Sequence, residues 1–139
     1  MPGILIIAHA PLASALKQAA GHTFAEAAEQ IQALDVLANL GCDEVEAQAR
    51  VMLARLQNDD PRHEALVLAD VFGATPCNVI QRLADGQQVK VITGVNRPKL
   101  WRALNYANEP LKTLITRALA GGTQGVMQIA SSKPQNQAI

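Results

Sequence analysis

The chain has 139 residues and carries twelve basic and twelve acidic side chains, so its formal net charge is zero. That balance argues against nucleic acid or a membrane surface as direct partners, because both call for a basic face. The length fits one domain, able to bury about two-thirds of its unfolded surface and to hold a core without a metal or a disulfide.

Cys42 and Cys77 show no paired spacing and read as the thiols of a reduced, cytoplasmic protein. The first apolar run is too short for a membrane span and has no basic leader, so it reads as part of the fold.

Gly3-Ile4-Leu5-Ile6-Ile7-Ala8 is apolar without alternation, the mark of a strand buried on both faces of a parallel sheet, and it ends at His9. Pro11 suits the first position of a helix, and Leu12 to Ala20 continue it with good helix formers up to Gly21. Ala25 to Glu29 is helix-prone, and Ile31 to Val36 alternates as a second strand. Asp43 with Glu46 resembles an N-cap and its carboxylate partner, ahead of a helix whose apolar positions run from Val45 to Leu56.

Ala65 to Ala69 is a second unbroken apolar run, ending at Asp70. A turn over Val71 to Pro76 precedes a helix from Pro76 to Leu83. Val89 to Thr93 reads as a strand and Pro98 to about Tyr106 as a helix. Leu111 to Leu119 reads as a last helix stopped by Gly121-Gly122, and Val126 to Ala130 as a short C-terminal strand. Strands alternating with helices imply an α/β fold with a mostly parallel sheet. Residues 1–130 are expected to form the domain and 131–139 a flexible polar tail.

Three βα junctions place a proline where a helix begins: Ala10-Pro11, Thr75-Pro76 and Arg97-Pro98. If the preceding strands are parallel, His9, Asp70 and the Gly94-Val95-Asn96 turn share the carboxyl edge, where ligands of open α/β sheets bind. A carboxylate there could hold one ring nitrogen of His9 and leave the other free to attack phosphorus. Thr75 and the amides after Pro76, or the start of the helix after His9, could hold phosphoryl oxygens.

Spacing alone leaves other readings open. His9 is equally a polar residue at a sheet rim, and capping a turn is the commoner use of an aspartate such as Asp70. His22 and His63 look structural or solvent-facing. Arg97, Lys99 and Arg102 could meet an acidic partner or simply form a solvated helix face.

Three segments together resemble a known family, the enzyme IIA components of the mannose/fructose/sorbose class in the bacterial phosphotransferase system. They are Ile4 to Ala10 around His9, Leu68 to Asn78 with Asp70, Gly73, Ala74, Thr75 and Pro76, and Gly94-Val95-Asn96-Arg97-Pro98-Lys99-Leu100. The resemblance runs in segment order over roughly residues 3 to 130. Family members commonly carry glycine where this chain has Ala10 and Ala74.

The resemblance implies a flavodoxin-like three-layer sandwich. It also implies that His9 takes a phosphoryl group from phosphorylated HPr and passes it to an enzyme IIB partner. Asp70 would orient the imidazole, and Thr75, beside Gly73 and Ala74, would contact the phosphoryl oxygens. Asn96 and Arg97 fall where a partner would dock. The family implies a homodimer whose last strand, here Val126 to Ala130, pairs across subunits, and a link to the membrane only through a transporter complex.

Such transfer needs alignment and charge stabilisation, with no cofactor or metal expected. A regulatory module switched by phosphorylation of His9 is the alternative. A cysteine phosphatase fits poorly, because Cys77 and Arg82 are five apart where a C-x5-R cradle needs six. No P-loop or dinucleotide turn is present.

Overall fold

The structure is a computed structural model and describes residues 2–70 and 79–131. Its centre is β1 (Gly3–His9), whose apolar residues are all buried, as the unbroken run requires. β2 (Gln32–Val36), β3 (Ala65–Ala69) and β4 (Val89–Ile92) complete a four-stranded sheet in the order β2-β1-β3-β4. Every pairing is parallel: Ile7 lies opposite Leu34 of β2 and Ala69 of β3, and Val67 lies opposite Val91 of β4. This is the flavodoxin-like order, in which winding reverses between β1 and β3 and opens a crevice at their carboxyl ends.

Side chains of β1 alternate between two cores. Ile4, Ile6 and Ala8 pack with α1 (Leu12–Gly21), α2 (Ala25–Glu29), α5 (Arg97–Asn105) and α6 (Leu111–Gln124). Leu5 and Ile7 pack with α3 (Cys42–Asn58) and α4 (Val79–Leu83). The expected three layers therefore form, with helices on both faces. Among the described residues no helix is long and apolar enough to cross a membrane.

Four expectations need correction. The Asp43–Glu46 capping box does not form: α3 begins at Cys42 with Gly41 as N-cap and no side-chain cap. Glu46 instead pairs with Arg50 of its own helix at 3.3 Å and with Arg82 of α4 at 3.6 Å. Cys42 is disulfide-bonded, so the reading of unpaired thiols does not hold there.

Gly121-Gly122 do not stop α6, which continues to Gln124. The glycines let α5 lie close against it. A Cβ at position 121 would overlap Arg102 Cγ and lie 2.8 Å from Arg102 Cβ, and one at position 122 would overlap Lys99 Cε. Finally, Val126 to Ala130 is not a strand. Among the described residues it runs along no neighbouring strand, and Val126, Met127 and Ile129 are 64%, 67% and 80% exposed. Over the described residues the sheet is thus wholly parallel, and the expected tail over 131–139 lies almost entirely outside them.

The start of β4 is set by Asp85, one of whose carboxylate oxygens accepts the amides of Gln87, Gln88 and Val89 at 2.8–2.9 Å. The Val89 amide is the main cause holding its pKa below the ordinary 3.8. A depressed carboxylate contributes stability above the unfolded value and loses it as pH falls through the folded one. Asp85→Ala should therefore be less stable than the native chain in urea at pH 7, with the gap narrowing below 3.8. Gly121→Ala should destabilise by about 1–3 kcal/mol through overpacking, despite alanine's helix preference of about 1 kcal/mol, as thermal unfolding would register.

Candidate functional site

The switch point between β1 and β3 brings together the two residues on which the carboxyl edge turns. His9 ends β1, and Asp70 follows the last residue of β3. Asp70 Oδ2 lies 2.7 Å from His9 Nδ1 and 3.1 Å from the His9 backbone nitrogen. A carboxylate only accepts, so Nδ1–H is the donor, and in the neutral ring the lone pair sits on Nε2. The imidazole side chain is 48% exposed and the carboxylate 12%. One nitrogen is therefore fixed from beneath while the ring remains open to an approaching group.

Asp70 is itself held by its backbone. Its carbonyl accepts the Gly94 amide at 2.8 Å, and the Ala69 carbonyl accepts that of Val95 at 2.9 Å. Gly94 has φ of 69°, a left-handed conformation that glycine adopts without a Cβ penalty. The turn is braced from α5: Lys99 Nζ donates to the carbonyls of Thr93 and Gly94 at 2.7 and 3.0 Å. Burial pushes the pKa of this ammonium below 10.5.

The start of α1 works differently from the anion site expected there. The helix has Pro11 as N-cap and no cap of its own. Asp35 of β2 supplies one, accepting the Ser14 amide at 3.0 Å and the Ser14 hydroxyl as well. The N-terminal partial charge of α1 already meets a resident carboxylate. Ala10 is tied to β2 by its amide, which donates to the Val36 carbonyl at 3.0 Å. The loop carrying His9 into α1 is thus pinned to the neighbouring strand at two points.

Of the other expected residues, Asn96 caps α5 by accepting the Lys99 amide at 2.8 Å, and its amide group points to the Gly122 carbonyl at 3.4 Å. Arg97 is exposed, with its guanidinium 4.7 Å from the centre of the Trp101 ring. Trp101 in turn meets Phe24 edge-on at 5.6 Å. Lys99, expected on a surface with Arg97 and Arg102, is instead buried. Gly73, Ala74, Thr75 and Cys77 lie outside the described residues. His63 is structural, its ring Nδ1 lying 2.9 Å from the Gln57 carbonyl at the end of α3.

Asp35 and Ser14 escaped sequence reasoning as site-forming residues, and Lys99 was read only as a partner-facing or solvated cation. A signal for the first was present: a helix beginning Ala-Pro-Leu-Ala-Ser lacks a local cap, and Asp35 stands one residue before the end of a strand expected at the same edge.

Residues 3–118 match the family model described as the PTS system fructose IIA component, EIIA-man. The chain belongs to this family. Solved structures share the fold. Phosphotransferase system component EIIA from Streptococcus agalactiae superposes with a TM-score of 0.79 at 21% identity, over 92% of this chain and 97% of that one. The mannose/sorbose-specific IIA subunit from Enterococcus faecalis gives 0.77 at 22% identity, over 96% and 98%. The PTS IIA protein associated with the fucose utilization operon of Streptococcus pneumoniae gives 0.72 at 22%, over 91% and 92%. This EIIA-man member is thus a component of the phosphotransferase class, with His9 and Asp70 joined at its sheet's switch point.

Removing the borrowed cap should loosen α1. Asp35→Ala is expected to lower stability by about 0.5–2 kcal/mol in urea denaturation, the usual range for a lost N-cap.

Proposed function

We propose that the protein is a phosphohistidine carrier, in which Nε2 of His9 accepts a phosphoryl group from phosphorylated HPr and passes it to an enzyme IIB partner. The observation that carries this reading is the 2.7 Å contact of His9 Nδ1 with Asp70 beside a half-exposed ring. The Nε2 lone pair attacks phosphorus, a new N–P bond forms, and the donor's P–N bond breaks with its electron pair returning to the donor imidazole. No proton has to leave His9, so no general base is required. The ring becomes cationic while Nδ1–H stays in place, and the Asp70 carboxylate stabilises that charge through a hydrogen bond about twice as strong as a neutral one. Transfer to enzyme IIB reverses these steps.

In this reading Thr75, with the backbone of Gly73 and Ala74, holds the phosphoryl oxygens. Arg97, stacked on Trp101, contacts the partner beside the exposed Leu12 and Leu37, which follow β1 and β2 at the same edge. Asn96 keeps the turn beneath Arg97 in place. The carrier works in the cytoplasm and reaches the membrane only through the transporter its partner serves.

The apolar C-terminal segment favours a homodimer in which Val126 to Ala130 of one copy lies along β4 of the other. Among the described residues β4 is an edge strand, and a groove of about 620 Å³ beside it is lined by Val91, Ile92, Leu111 and Ile115 together with Lys90 and Lys112.

Incubation with phosphoenolpyruvate, enzyme I and HPr should give one acid-labile phosphate per chain, absent from His9→Ala. Label persisting in that variant contradicts the assignment. Asp70→Asn should slow phosphorylation, by up to about a hundredfold if the ring loses its alignment. Light scattering should give twice the chain mass, falling to one chain mass on truncation after Gly125; a monomeric full chain contradicts the exchange.

A further inference from the structure

The geometry points to Lys99 as a positioning residue for His9, acting through the Gly94 turn and Asp70; this rests on the carrier reading and deepens it.

Lys99 is an expensive residue to keep where it is. Its side chain is buried, the residue being 8% exposed, and among the described residues no carboxylate forms an ion pair with it. A buried charge without a counter-ion is costly, and its depressed pKa reflects that cost. It also stands in the first turn of α5, where the helix dipole disfavours a cation. An apolar side chain of similar length would fill the same space with none of these penalties.

What the ammonium supplies is geometry. The left-handed Gly94 follows the end of β4, and Nζ gathers the consecutive carbonyls of Thr93 and Gly94 onto one donor. The other side of that turn donates to Asp70: the Gly94 amide meets the Asp70 carbonyl at 2.8 Å. Asp70 Oδ2 then meets Nδ1 of His9. Three consecutive short polar contacts thus lead from a buried cation to the reactive ring. The stem of Lys99 is held from behind by Gly122, since a Cβ there would overlap its Cε and lie 3.2 Å from its Nζ.

The readout is the tautomer of neutral His9, followed by ring nitrogen NMR shifts, together with the rate of phosphorylation by phosphorylated HPr. Lys99→Met keeps the bulk and removes the donor. Gly122→Ala changes no residue of the turn and keeps the carbonyl that Asn96 faces, while its Cβ displaces the Lys99 stem and ammonium. The native chain should hold the proton on Nδ1. Both variants should raise the Nε2–H fraction several-fold and slow phosphorylation about tenfold, the scale of a modest misalignment. Lys99→Gln, which can still donate to one carbonyl, should fall between.

A purely structural lysine would lower the melting temperature and leave the tautomer of the folded molecules alone. Native tautomer ratios and rates in folded Lys99→Met or Gly122→Ala therefore overturn the inference. Should Lys99→Met fail to fold, Gly122→Ala and Lys99→Gln decide. If the tautomer shifts as expected but the native chain takes up no phosphate, the carrier reading fails and the positioning role survives. If the native chain is phosphorylated and the variants keep its tautomer, only the positioning role fails.

Discussion

One carboxylate oxygen shared by the ring and the backbone of a single histidine is the constraint around which this molecule is built. Asp70 Oδ2 accepts from both nitrogens of His9 that face it, the amide at 3.1 Å and Nδ1 at 2.7 Å. Two bonds to one atom define where the imidazole starts and which way it points. Neither residue could do this from a flexible loop. Each stands at the end of a strand buried on both faces, and the two strands are paired in register up to Ile7 and Ala69.

The surroundings of that pair are a series of braces. Asp35 and the Val36 carbonyl hold the loop that leaves His9. The Gly94 and Val95 amides hold the chain at Asp70. Lys99 and Asn96 hold the Gly94 turn against α5, and Gly121 and Gly122 let α6 approach closely enough to back both. Preorganisation of this kind matters for group transfer between two nitrogens, where alignment and charge stabilisation supply most of the rate.

Most of the framework was legible because its signals are local. Unbroken apolar runs at Ile4–Ala8 and Ala65–Ala69 can hardly be anything but central strands, and their polar ends at His9 and Asp70 then share an edge. The Gly-Val-Asn-Arg-Pro segment read as a turn ahead of a helix, and Asn96 caps that helix. What failed was non-local. Gly121-Gly122 looked like a helix stop because the close approach of α5 is invisible in the sequence around them. Asp43 looked like a cap because nothing nearby reveals that Glu46 is drawn to Arg82, a residue of another helix. Lys99 looked like a surface cation because its acceptors are backbone carbonyls, which any sequence offers. The segment Val126 to Ala130 is apolar enough to read as a strand, yet among the described residues no strand pairs with it.

In the proposed carrier, phosphorus bonds to the ring nitrogen that Asp70 leaves free. Nitrogen–phosphorus coupling in the phosphorylated, isotope-labelled protein reads this directly. One phosphorus should couple to Nε2 of His9 with Nδ1 still protonated; coupling to Nδ1, or to any other residue, would overturn the carrier assignment.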